Sequence, residues 1–255
     1  EFTWAYFRPA GVIEAGAGLD AHGKIATWHF ININSGGQAV DTPYVVGKKN
    51  CHYVASKPPL RHGSYRGLAA TANNFAREVF MDEIAAVAGA DPLEFRLAHL
   101  ENARLRAVLE KTAKEFGWIT RVKKKDPGIG VGLACGMEKG SVVAACVEVV
   151  IDRKANTFNG SHVCQAVGCG KILNPANLLS QVQGGIIMGL GAALREEVHA
   201  EFTRHELLVR QQPVPASDHM LGLAFDAAVH MPRGGRLHGK RVTLDRLAAM
   251  VGIKR

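Results

Sequence analysis

Four glycines fall inside what otherwise reads as one helix. The run that opens at Asn174 and Pro175 and continues to Glu197 carries Gly184, Gly185, Gly189 and Gly191 in its interior. Each costs a helix roughly 1 kcal/mol relative to alanine. The pattern therefore predicts that something comes close to the backbone there, either another helix or a bound cofactor. Gln181 and Gln183 lie on different faces of the first turns of that helix. A buried glutamine there needs partners for both ends of its amide, which backbone or a polar cofactor edge would supply. Arg66 sits between Gly63 and Gly67. It reads either as a surface arginine or as a clamp, since a guanidinium fork can hold a carboxylate or phosphate at two points. Glu138 and Lys139, bounded by Gly136 and Gly140, read as an exposed turn or as a site loop.

Other chemistries find no support in the residue spacing. The glycines at 130, 132 and 136 do not make a dinucleotide fingerprint, because β-like sequence rather than a helix follows them. There is no phosphate-binding loop, zinc-protease helix or nucleophile elbow. The 11 histidines show no ligand spacing. Of the 5 cysteines, none forms a C-x-x-C pair, and they read mostly as reduced, buried small residues. The net charge of +8 is spread along the chain, with a local cluster at 121–125, and reads as a solvated surface.

The elements that must position these residues follow from periodicity and caps. With 255 residues, the chain has room for one large domain or two small ones. No apolar run reaches the ~18 residues a membrane span needs. Residues 1–50 read as β, with a strand at 2–7 and a turn at 20–23. Three helices are predicted. The first covers 70–88, with Phe75, Val79, Ile84 and Val87 as its apolar stripe and Arg77 and Glu78 outside it. The second runs from the Asp91 cap to about Leu100. The third covers 103–116, between an Asn102 cap and Gly117. Residues 119–128 read as a basic linker. Residues 130–136, 141–151 and 161–167 read as strands, with a turn over 152–160. The fold class is α+β: a first part at 1–118, a second at 119–200 carrying the glycine-rich helix, and a divergent basic tail at 201–255.

Several separated motifs also resemble one family. They are the run from Ser64 and Tyr65 through Arg66 to Glu78, then Met81 to Ala85, Asp91 to Leu97, Arg106 to Glu110, and Phe116 to Trp118. Gly168-Cys169-Gly170, Asn174-Pro175 and the run from Gln181 to Gly184 follow. Together they are similar, over about residues 1–200, to the molybdopterin-binding large subunits of the xanthine dehydrogenase family. Within that family they resemble the isoquinoline 1-oxidoreductase and aldehyde oxidoreductase branch. The resemblance implies a molybdenum-molybdopterin cofactor, in a cytosine dinucleotide form in bacterial-type members. It implies hydroxylation of aldehydes or N-heterocycles with water-derived oxygen, and a small iron–sulfur partner subunit that takes the electrons. It further implies that Arg66 is the substrate-side arginine of the family's active-site loop and that Gln181 is its cofactor-contacting glutamine. Gly184 and Gly185 would be the positions that let the helix approach the pterin.

The sequence also departs from the family. A long amino-terminal region with a Gly-Gln-Gly loop is missing, as is the Gly-x-Gly-Glu motif whose glutamate serves as base; the segment 201–255 holds no such motif. The expectation is a fragment of such a subunit, inactive in hydroxylation by itself, from a cytoplasmic or a periplasmic enzyme. Two rivals stand beside it. One is a non-catalytic subunit of the same fold. The other is nucleic-acid binding through 242–255, which resemble the first helix and turn of a helix-turn-helix module. That run stops before a recognition helix, so nucleic acid is not the expected partner.

Overall fold

The computed structural model describes residues 7–57, 62–124, 126–155 and 157–194, and the backbone of 198–202 and 207–211. Strands β1 (Val12–Leu19) and β2 (Ile25–Ile33) form an antiparallel hairpin. The Asp20 carboxylate closes its turn by accepting from the backbone N–H groups of His22 and Lys24. Strand β3 (Lys48–Val54) pairs parallel to β2, giving a mixed sheet in the order β1-β2-β3. Strands β4 (Ile129–Glu138), β5 (Ser141–Asp152) and β6 (Thr157–Gly168) form an antiparallel meander. Lys139 and Gly140 both take left-handed φ values, 48° and 80°, and make the two-residue turn between β4 and β5. Glu138 and Lys139 are thus part of a plain hairpin.

Four helices lie between the two sheets in sequence: α1 (Ala70–Val87), α2 (Pro92–Ala98), α3 (Ala103–Phe116) and α4 (Trp118–Lys123). Helix α1 packs on β1 and β4, and α3 packs on β4, β5 and β6. One buried cluster runs from Ile25, Trp28 and Phe30 through Met81, Leu105 and Leu109 to Leu133 and Cys146. The fold is α+β, as expected. The caps also stand where the sequence puts them. Asp91 accepts from Leu93 N–H and Glu94 N–H, and Asn102 accepts from Leu105 N–H. Gly117 ends α3 at φ 74°. After the meander come α5 (Pro175–Leu194) and a hairpin of β7 (Val198–Phe202) and β8 (Leu207–Gln211). That hairpin gives order to the start of the segment expected as a tail. Residues 2–6 of the expected strand at 2–7 and the helix-turn-helix likeness at 242–255 lie outside the described residues.

Four expectations need correction. The buried stripe of α1 runs through Ala70, Asn73, Arg77, Met81 and Ile84, with Glu78 beside it. Arg77 and Glu78 are 2% and 1% exposed, whereas Val87, expected inside, is 80% exposed. Residues 119–123 of the expected linker are helical, as part of α4. Strand β6 begins at Thr157, inside the expected turn. Helix α2 stops at Ala98, where His99 caps it.

His99 locks α2 to the first sheet. Its Nδ1 donates to the Phe95 carbonyl at 2.8 Å, which leaves Nε2 to accept from Ile25 N–H at 3.2 Å. Protonation would set an N–H against an N–H, and burial holds the His99 pKa below 6.5. As pH falls, the unfolded chain therefore takes up this proton first. The contribution to stability is whole above about pH 6.5 and drains away below it. We expect wild type to lose more stability between pH 7 and about pH 5 than His99→Gln, read by denaturant melts at each pH. Equal pH slopes in the two proteins would contradict this.

Candidate cofactor site

The loop at 63–69 is built around two left-handed residues, Gly67 at φ 82° and Leu68 at φ 49°. A side chain at Gly67 would meet Thr71 Oγ1 at 2.5 Å, so the chain can turn into α1 here only through glycine. Arg8 fixes the loop from below. Its guanidinium donates to the carbonyls of Arg66 at 3.0 Å and Leu68 at 3.3 Å, and it lies 4.9 Å over the Tyr65 ring. These contacts hold the Arg66 backbone and leave its side chain exposed.

A second loop, at 34–38, is tied to the first. Asn32 and Asn73, both fully buried, bond to each other at 2.6 Å. Asn32 also accepts from Ser35 and Gly36 N–H, and Asn73 donates to the carbonyls of Gly36 and Gln38. A Cβ at Gly36 would stand 2.9 Å from the Cβ of Ala69, so the two loops touch. Between them lies a cavity of about 250 Å³, lined by Arg8, Asn34, Ser35, Gln38, His62 and Tyr65 among others. It is mostly polar in its named groups and large enough for part of a small ligand.

Helix α5 meets the first loop through the Arg66 side chain. Asn174 caps it by accepting from Asn177 N–H at 3.0 Å. Ile186 packs on Ala145, Val147 and Val149 of the meander, and Leu190 is buried. The rest of the helix is largely open. A Cβ built on Gly184 or Gly185 meets nothing within 4 Å among the described residues. Among the described residues, no other helix packs closely on these two glycines. Gln181, also exposed, accepts through Oε1 from Arg66 Nη2 at 2.5 Å, and Arg66 Nη1 reaches Met188 Sδ at 3.5 Å. The two side chains come from positions 115 apart in the sequence. The structure thus brings all four predicted site residues to one region, with Arg66 and Gln181 in direct contact.

Among the described residues, both contacts of the Arg66 guanidinium are to neutral atoms. A thioether is a weak acceptor, so this arm of the fork can be exchanged for an anionic or carbonyl oxygen. The open backbone at Gly184 and Gly185 offers a flat surface beside the Gln181 amide. An aromatic, polar-edged group would fit there, because no side chain of the described residues stands over it.

Comparison with known proteins settles what kind of domain this is. The family described as "Molybdopterin cofactor-binding domain" matches residues 139–213. That span includes the meander from its first turn onward and all of α5. The beta chain of isoquinoline 1-oxidoreductase from Brevundimonas diminuta is 35% identical over 159 residues, covering 59% of this chain and 20% of that protein. Residues 139–213 thus match a molybdopterin cofactor-binding domain, and the chain is similar to subunits of the xanthine dehydrogenase family. The B chain of nicotinate dehydrogenase from Pseudomonas putida is 25% identical over 248 residues, covering 79% of this chain and 20% of that protein. The chain therefore spans about a fifth of the length of these relatives. Its fold matches quinoline 2-oxidoreductase from Pseudomonas putida 86 at a TM-score of 0.69 and 12% identity, over 88% of this chain and 55% of that one. The cofactor of the domain is molybdenum held by molybdopterin, and the open glycine surface fits such a group.

Sequence reasoning missed three residues that shape the site. Arg8, Asn32 and Asn73 hold its two loops, and each does so through partners far along the chain. No local spacing marks them. Among the described residues, no helix is long and apolar enough to cross a membrane.

Proposed function

We propose that this chain holds and orients the cofactor of an oxidoreductase that hydroxylates aldehydes or N-heterocycles with oxygen from water. The observation that carries this reading is the meeting of Arg66 and Gln181 beside the uncovered backbone of Gly184 and Gly185. When bound, the cofactor supplies a two-electron acceptor and the means to activate a water-derived oxygen. The remaining tasks fall to this chain's residues. Among the described residues the Gln181 Nε2 hydrogens are free to donate to a polar edge of the pterin while Oε1 holds Arg66. Gly184 and Gly185 let that ring lie against the helix. Arg66, anchored by one arm, turns the other toward the substrate and offsets negative charge developing on its oxygen or ring nitrogen. The Arg8 contacts keep the Arg66 backbone in place for that task.

Both relatives are named as single subunits of larger enzymes. We extend the proposal to a small iron–sulfur partner that takes the electrons, and to a cytosine dinucleotide form of the pterin. Within the assembled enzyme, Arg66→Ala is expected to lower kcat/KM by about 100-fold or more. Molybdenum per chain should stay at the wild-type level. Turnover within about twofold of wild type would remove Arg66 from the reaction.

A further inference from the structure

The central and edge strands of the meander place two cysteines face to face. Cys146 of β5 stands directly opposite Cys164 of β6 in the antiparallel register. Opposite residues lie about 4.5 or 5.5 Å apart at Cα, depending on their hydrogen-bonding position. A disulfide needs about 4.4–6.8 Å between Cα atoms, and both spacings fall within that range. Opposite side chains also leave the sheet on the same face. The irregularity in this pairing falls between Glu148 and Val149, beyond the cysteine pair.

The surroundings single out this pair. Both thiols are free. Cys146 is fully buried, and Cys164 is half-buried and packs against the same cluster on the α3 side of the sheet. The other cysteines are placed differently. Cys135 stands opposite Ala144, with its sulfur against the Tyr44 hydroxyl at 3.2 Å. Cys51 belongs to the first sheet, and Cys169 is exposed just past the end of β6.

We propose that Cys146 and Cys164 form a redox-sensitive pair that closes into a cross-strand disulfide when the chain meets a low-molecular-weight disulfide. Cys164, the more accessible, attacks one sulfur of the incoming disulfide as its thiolate. The small S–S bond breaks, and one half leaves as a thiolate that takes up the proton lost by Cys164. Cys146 then gives up its proton and attacks the Cys164 sulfur, and the second half leaves as a thiol. Two protein thiols lose two electrons and two protons, and the small disulfide becomes two thiols. Burial raises the pKa of both cysteines, that of Cys146 to about 12, which slows the exchange without changing its product. The bond would tie the edge strand β6 to the centre of the sheet. Because β6 runs through Cys169 and Gly170 toward α5, oxidation would stiffen the route into the glycine-rich helix.

The test uses the full folded chain treated with oxidised glutathione, then denatured, alkylated, digested and mapped by mass spectrometry. The expected product is a peptide pair joined through Cys146 and Cys164, lighter than the reduced pair by two hydrogen atoms. It should be reversed by dithiothreitol, with an unchanged circular dichroism spectrum. Cys164→Ser should leave Cys146 fully alkylated. Three outcomes in a natively folded chain would overturn the proposal: Cys164 found only as a stable glutathione adduct, Cys164 joined to Cys169, or both thiols alkylated in full after prolonged exposure. The wild-type map alone decides among these, so the result does not depend on the variant folding.

Discussion

Glu78→Ala is expected to cost about 3–5 kcal/mol of stability, because it strands buried charge. The Glu78 carboxylate accepts from Arg96 Nε at 2.9 Å, Arg77 Nε at 3.2 Å, the Tyr44 hydroxyl at 2.9 Å and Cys135 N–H at 3.1 Å. Arg96 is 0% exposed and also donates to Asp82 at 2.5 Å and to the carbonyls of Pro92 and Glu78. Arg77 donates to Asn74 and to the carbonyls of Ala39 and Asp41. One carboxylate therefore joins α1, α2, β4 and the segment at 39–44. Deleting it leaves two buried guanidinium groups, of which only Arg96 keeps a carboxylate ion-pair partner, Asp82, among the described residues. Burial pushes the Asp82 carboxyl up to about 7 in the intact cluster. Glu78→Gln keeps the shape and part of the bonding, and its loss should be smaller. Denaturant melts on both variants give the comparison. A loss below about 1 kcal/mol for Glu78→Ala would mean that the cluster relaxes around water.

How far the sequence could be read depended on where the partners lie. Helix α3 was legible from end to end, because Asn102, the apolar stripe and Gly117 are all local signals. Helix α1 was legible in extent and misread in orientation. A stripe that buries Asn73 and Arg77 looks polar until Gly36, Gln38 and Ala39 are brought beside it. Helix α4 looked like a linker because its residues are basic. It is held by the stacking of Arg121 on Phe116 and by the ion pair of Arg121 with Glu148, a residue of β5. At the site, Arg66 and Gln181 could be named through family likeness, and the glycine content of α5 marked the helix as unusual. Their mutual contact and the Arg8 brace could not be read, since both join positions at least 58 apart.

The glycines of α5 carry the second large effect. In an isolated helix each is a defect, and a larger residue that keeps helical geometry should gain about 1 kcal/mol at each position. The space beside Gly184 and Gly185 is free of described protein atoms to 4 Å, so the added side chains meet no clash there. If that space belongs to the pterin, Gly184→Leu and Gly185→Leu should improve the fold and exclude the cofactor together. No packing role predicts that pair of opposite signs.

The decisive measurement is molybdenum and pterin content per chain, read alongside the thermal midpoint, for the Gly184→Leu/Gly185→Leu protein beside wild type in the assembled enzyme. A fall in bound molybdenum of at least about tenfold, with the apo-protein midpoint equal or higher, is the expected result. Full molybdenum in the doubly substituted protein would place the cofactor away from α5, and a collapse of the midpoint would show that the glycines serve packing instead.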